Sequence, residues 1–169
     1  MRFGTLLYTV AMFVNKGENS YSEHITNPVL FYGGEFGYCF SNFAAFSVIW
    51  KGRTWQTSEH AFQAAGFDDP EIIEAIATAT SAHDALKLAI KHQDKMRATW
   101  EHEKREVMKD ICREKLSQHP YIEKTLRETK DARLMEDSPK DSCWGRGADW
   151  KGKNWLGEIW MELRSEFLG

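Results

Sequence analysis

Two acidic residues stand where an ionisable side chain could act on a bound ligand. Glu59 lies in Thr57-Ser58-Glu59-His60-Ala61-Phe62-Gln63, at a junction between β-rich and helical sequence, with Thr57 or Ser58 as the expected N-cap. A carboxylate in a first helical turn meets the positive end of the helix dipole and free N–H groups, and both favour its ionised form. Glu59 is therefore expected to act as a base or a stabiliser of positive charge rather than as a proton donor. The competing explanation is local, since first-turn acids also serve simply to stabilise helices. Gln63 lies four residues on, along the same helical face, where its amide could orient a substrate or the carboxylate. His60 is the immediate neighbour of Glu59 and so does not face it, which suits a core or capping histidine.

The second acid, Asp141, opens the stretch Asp141-Ser-Cys-Trp144-Gly145-Arg-Gly147-Ala-Asp-Trp150-Lys-Gly-Lys153-Asn154. With Trp155 and Trp160 it gathers four of the seven tryptophans, next to glycines and the cations Arg146, Lys151 and Lys153. Indole rings offer stacking faces, glycine lets backbone N–H groups approach an anion, and the cations add charge. Such a loop suits a nucleotide or sugar phosphate. Asp141 reads either as a turn residue or as a carboxylate at the loop's mouth. Asn154 is the expected N-cap of a closing helix whose N-terminus would double as an anion site. Phe40-Ser41-Asn42-Phe43 and Trp100 add an amide and flat surfaces, which serve either the core or a stacking platform.

These residues need elements to hold them. Val29–Gly33, Tyr38–Phe43 and Phe46–Trp50 are β-rich, with Lys51-Gly52 as a hairpin turn before Arg53, so the first third is expected to be a small antiparallel sheet. Helical punctuation follows. Asp69-Pro70 opens one helix, Ser81 with Asp84 makes a capping box for a second, and Thr99 caps a third carrying Val107, Met108, Ile111, Cys112 and Leu116. A short helix from Pro120 buries Ile122 and Leu126, and 133–136 can form a strand. Leu156, Ile159, Trp160, Leu163 and Phe167 line one face of the last helix.

At 169 residues, with 42% apolar and 28% charged residues, the chain supports one hydrophobic core. A net charge of −3 gives no general attraction for a polyanion, which favours a small substrate. Three widely spaced cysteines and scattered histidines match neither a disulfide framework nor a zinc site, so a reducing cytoplasm and no metal are expected. The apolar run from Leu6 to Val14 is far shorter than a membrane span and lacks a clear cleavage site, and Met12 offers an alternative start.

Taken together, Phe40-Ser-Asn-Phe43, Trp55-x-Thr-Ser-Glu59-His60-x-Phe62-Gln63, Asp141-x-x-Trp144-Gly-x-Gly147, Gly152-Lys-Asn154-x-Leu-Gly157 and Met161-Glu-x-x-Arg164 resemble the NADAR family. The blocks come in the family's order, from about Phe31 to the C-terminus. The resemblance implies a predominantly helical α+β domain over 27–169, with 1–26 as an extension or first strand. It also implies N-glycosidase activity on ribosylamino-pyrimidine phosphates of riboflavin synthesis, without a cofactor; some relatives instead remove ADP-ribose from guanine in nucleic acid. A non-catalytic ADP-ribose or NAD-binding module is the third possibility.

Carried onto this chain, the family's two acids fall on Glu59 and Asp141. Glu59 would stabilise the sugar cation and activate water, while Asp141 would protonate the heterocycle or orient the ribose. Asn42, Phe43, Ser58, His60, Gln63, Trp100 and Trp144 would contact the substrate, with Gly145, Gly147, Lys153 and Asn154 on the phosphate side. One departure stands out: where many members continue Gln-x-x-Lys-Phe, this chain has Gln63-Ala-Ala-Gly66-Phe67. A covalent capture of the sugar by that lysine cannot operate from Gly66, and Lys87, Lys151 and Lys153 are the candidates to replace it.

Overall fold

Lys51 and Gly52 reverse the chain with positive φ angles of 48° and 76°, the handedness that matches the twist of a tight hairpin. They join β2 (Val48–Trp50) antiparallel to β3 (Arg53–Trp55), with Trp50 opposite Arg53. Val48, Trp50 and Trp55 turn inward while Ile49 faces solvent, as a strand's twofold period requires. The computed structural model describes residues 28–32 and 36–168, so the apolar run 6–14, Met12 as a start and the 1–26 segment lie outside the described residues.

Among the described residues, the antiparallel sheet expected in the first third is this hairpin alone. β1 (Val29–Phe31) leaves it and pairs in parallel with β4 (Leu134–Glu136), more than 100 residues away, with Phe31 opposite Glu136. Tyr38–Phe43, read as β-rich, contains instead a 3-10 turn over Tyr38–Phe40 that follows Gly37 at φ 85°. Tertiary packing overrides β propensity there. The Phe40 ring lies 5.7 Å from that of Phe31 and 5.1 Å from that of Trp160, and the Trp160 indole N–H donates to the Phe40 carbonyl at 2.8 Å.

Among the described residues, six α-helices make up most of the remainder. α1 (Ser58–Ala65), α2 (Pro70–Ala77) and α3 (Ala82–Lys91) pack on one another, each opened by a side chain the sequence marks: Thr57, Asp69 and Ser81 accept from His60, Glu71 and Asp84 backbone N–H groups. Thr99 occupies the N-cap position of α4 (Trp100–Gln118) without a side-chain cap. α4 lies against α1 and β2, α5 (Pro120–Glu128) follows it after His119, and α6 (Trp155–Leu168) crosses β4.

Ile111, Ile122, Leu126, Leu134, Leu156, Ile159, Trp160 and Leu163 are fully buried and form the centre of the core. Phe167 does not continue the α6 stripe. It is 44% exposed, because the helix runs past the layer it packs against. The result is a predominantly helical α+β fold. Among the described residues no helix is long and apolar enough to cross a membrane.

Candidate active site

Glu59 sits in the first turn of α1, but the free N–H groups expected around it are already used. Its own N–H donates to the Asn42 carbonyl at 3.1 Å, and the His60 N–H donates to Thr57 Oγ1 at 3.3 Å. The side chain is 5% exposed and takes one hydrogen bond, from Gln63 Nε2 to Oε1 at 2.7 Å. Burial pushes its pKa up to about 7; the Gln63 hydrogen bond opposes this and the Asp141 charge adds to it. This corrects the expectation from the helix dipole. A dipole contributes on the order of 1 kcal/mol, whereas removing a carboxylate from water costs several.

The loop between β4 and α6 is built by close backbone packing. Asp141 Oδ1 accepts from the Cys143 and Trp144 N–H groups, both at 2.8 Å, so one oxygen of Asp141 caps the loop. Gly147 has φ 67°, and a Cβ at Gly152 would fall 2.2 Å from the Gly145 carbonyl oxygen. These glycines serve contact between two passes of the chain. Arg146 pairs with Asp137 and covers the Trp150 ring at 4.1 Å, and Lys153 lies 5.0 Å from the Trp155 ring.

The N-terminus of α6 is closed by the same loop. The N–H groups of Asn154, Trp155 and Leu156 donate to the carbonyls of Gly145, Cys143 and Trp144 at 3.1–3.2 Å. Asn154 itself is buried at φ 52°, and its amide clamps β4 by accepting from the Glu136 N–H at 2.9 Å and donating to the Leu134 carbonyl at 2.9 Å. The anion site expected at this helix end therefore does not form. Its donors are consumed by the turn that holds Trp144.

What the loop, α1 and β4 enclose is a cavity of about 350 Å3, a size suited to a small-molecule ligand. Glu59 and Gln63 line one side, Asp141 and Trp144 another, and Asn42, Phe43 and Phe62 complete the wall with Glu136 and Lys140. The Phe62 ring lies 5.2 Å from Trp144, edge to face, so the aromatic wall is rigidly backed. Asn42 Oδ1 is buried with no hydrogen-bond partner among the described residues, an acceptor left for a ligand.

The remaining candidates sit elsewhere. Ser58 and His60 are fully buried, and His60 bonds Thr57 Oγ1 through Nδ1 at 2.8 Å and the Ala79 carbonyl through Nε2 at 3.1 Å. Trp100, 4% exposed, packs behind Phe62 at 5.0 Å and presents no face to the cavity. Gly145, Gly147, Lys153 and Asn154 shape the loop without lining the cavity.

Sequence reasoning passed over Glu136 and Lys140. Glu136 is 6% exposed at the end of a strand buried on both faces; burial, then the charges of Asp141 and Glu59, push its pKa up to about 8. The available signal was an acid directly after the apolar pair Leu134-Met135, just before the tryptophan loop. Among the described residues, Lys140 is the single cation lining the cavity. Among the described residues no group of three or more His, Cys, Asp or Glu is arranged to hold a metal ion.

A family model described as the NADAR domain matches residues 30–168. The chain belongs to the NADAR family. Among its NADAR relatives, the N-glycosidase YbiA of Escherichia coli (strain K12) is 40% identical over 127 residues, covering 75% of this chain and 79% of the relative. A riboflavin biosynthesis protein of Vibrio vulnificus is 37% identical over 146 residues, which are 86% of this chain and 40% of that larger protein. The NMR structure of E. coli YbiA superposes with a TM-score of 0.76 at 38% identity, covering 83% of this chain and 84% of that one.

The departure from the NADAR pattern at Gly66 has a structural setting. Gly66 ends α1, away from the cavity wall, and a Cβ there would lie 3.3 Å from the Trp100 ring. None of the three lysines considered as replacements lines the cavity: Lys87 pairs with Asp84 at 3.3 Å, Lys151 is exposed, and Lys153 covers Trp155.

Proposed function

We propose that the protein hydrolyses the C–N glycosidic bond of a ribosylated heterocycle phosphate, of the ribosylamino-pyrimidine kind that belongs to riboflavin synthesis. Relatives carry the names N-glycosidase and riboflavin biosynthesis protein, and the chain is an N-glycosyl hydrolase. The observation that carries the reading is the buried Glu59 and Gln63 pair facing an aromatic wall inside a small cavity. Cleaving a C–N glycosidic bond builds positive charge on the sugar, which a carboxylate in a poorly solvated site stabilises strongly. Glu59 takes that role and accepts a proton from the attacking water, while Gln63 holds its orientation.

Trp144 and Phe43 flank the heterocycle, and the unpaired Asn42 Oδ1 accepts from a ribose hydroxyl, as does the second oxygen of Asp141. Three acids line the interior, so the phosphate belongs at the rim beside Lys140, away from the carboxylates. The free thiols Cys39, Cys112 and Cys143 suit work in a reducing cytoplasm. Purified protein incubated with a ribosylamino-pyrimidine phosphate is expected to release ribose 5-phosphate, and absence of release over a no-enzyme control would overturn the substrate assignment. Lys140→Ala should raise KM about ten-fold with kcat little changed, whereas Lys153→Ala should leave both near wild type. Steady-state kinetics separates the two, and the reverse ranking would return the phosphate to the glycine loop.

A second reading draws on a neighbouring cavity of about 320 Å3 that shares Tyr32 and Phe43 with the first and adds Tyr38 and His83. Two adjoining aromatic cavities would suit a ligand with two rings, such as ADP-ribose attached to guanine in nucleic acid. Mass analysis of ADP-ribosylated oligonucleotide after incubation decides it: an unchanged modification removes this reading. Calorimetry with ADP-ribose covers the non-catalytic alternative, which requires binding without turnover of any substrate tested.

A further inference from the structure

We propose that Glu136, rather than Asp141, is the catalytic acid that protonates the departing heterocycle nitrogen. This assignment rests on the glycosidase reading and divides the labour inside the same cavity. Glu136 lines that cavity with Glu59, is 6% exposed, and stands on a strand whose backbone is held from both sides. Its N–H donates to Asn154 Oδ1 at 2.9 Å, and its carbonyl accepts from the N–H groups of Ser138 at 2.8 Å and Arg146 at 3.1 Å. Among the described residues no donor reaches its carboxyl group, while Glu59 receives Gln63 and Asp141 receives two backbone N–H groups. Hydrogen bonds donated to a carboxylate stabilise its ionised form, so the acid without such bonds is the one that keeps its proton.

The groups bearing on Glu136 point the same way. Glu59 on α1 and Asp141 on the loop repel its negative charge, Cys112 on α4 is a neutral thiol whose pKa burial pushes up to about 12, and Lys140 stands at the exposed rim. Burial and that repulsion raise the Glu136 pKa, and with Gln63 donating to Glu59 while no donor among the described residues reaches Glu136, the proton of this coupled pair resides on Glu136.

In the reaction, the C1′–N bond breaks and its electron pair goes to nitrogen, which takes the proton of the Glu136 carboxyl. Water oxygen bonds to C1′ and gives a proton to the Glu59 carboxylate, and solvent exchange returns both acids to their starting states. One water is consumed, and free ribose phosphate and the amine leave.

Glu136→Gln keeps the shape and removes the proton. It is expected to lower kcat/KM about 100-fold and to abolish the alkaline fall of the wild-type pH–rate profile. A rate within about three-fold of wild type, or an unchanged alkaline limb, would overturn the proposal. Infrared difference spectra of ligand-free Glu59→Gln protein test it without turnover and without relying on the stability of Glu136→Gln. The C=O stretch of a buried carboxylic acid should be present at pH 6 and vanish on raising the pH, and its absence at pH 6 also overturns the assignment. Inactivity of the wild-type protein on the substrate with that band present would sink the substrate reading alone.

Discussion

Glu59→Gln should lower kcat by about three orders of magnitude and at the same time make the protein harder to unfold. The loss of activity follows from removing the charge that opposes the sugar cation and the base that takes the water proton. The gain in stability follows from the same burial. Glu59 has a pKa of about 7 in the folded protein, against the usual 4.5. Below pH 4.5 the group is protonated folded and unfolded, so it costs nothing. Between pH 4.5 and 7 the unfolded chain releases the proton first, and stability falls as pH rises.

Above that window the cost is full, about 3 kcal/mol, and Glu59→Gln removes it. Loss of the Glu59 charge also relieves Glu136, which adds to the effect in the same direction. Thermal unfolding at pH 8 should show the variant's Tm several degrees above wild type, and the gap should close near pH 4. A variant that is inactive and also less stable at pH 8 would mean that Glu59 holds the fold rather than the reaction. Stabilisation combined with inactivation is the signature of a residue kept for function at the fold's expense.

Gly152→Ala should unfold or severely loosen the tryptophan loop, with a loss of about 3 kcal/mol or more in chemical denaturation. An added Cβ would meet the Gly145 carbonyl oxygen at 2.2 Å, the Arg146 carbonyl carbon at 2.5 Å and the Gly147 nitrogen at 2.7 Å, all backbone atoms that cannot swing aside. The Gly152 N–H itself donates to the Arg146 carbonyl at 2.7 Å, so the two loop segments cannot separate without losing that bond. Displacing them moves Asp141 and Trp144, and activity should fall with stability. The contrast is Gly52, where nothing lies within 4 Å of the added Cβ and only the positive φ of 76° opposes alanine. Gly52→Ala should cost on the order of 1 kcal/mol and leave activity intact. Comparable losses at both positions would show that conformation, and not contact, makes Gly152 necessary.

Much of the fold was legible because its signals are local. Thr57, Asp69 and Ser81 cap α1, α2 and α3 through bonds spanning two or three residues, and the Lys51-Gly52 turn needs only its own dihedral preference. The periodic apolar residues of α4 and α6 describe one face each without reference to any partner. β1 was legible as a strand but not in its pairing, since nothing in Val29–Phe31 names Leu134–Glu136 as its neighbour. Tyr38–Phe43 misled because its aromatic residues favour strands in general, and here the Phe40 ring packs on Phe31 and Trp160 around a turn.

By itself the sequence determined the family, the order of the helices and the two segments that meet at the cavity, because ordered motifs and helix caps are properties of neighbouring residues. Tertiary structure alone decided which polar groups remain available to a ligand. The helix end that should have bound an anion spends its N–H groups on the loop carbonyls, Asn154 clamps β4, and Trp100 backs Phe62. Glu136 and Lys140 become cavity residues only when β4 packs beneath α6 and faces α1. The physical reason is that burial and hydrogen-bond partnership depend on the whole surrounding shell, and those two quantities set which acid is charged and which holds its proton.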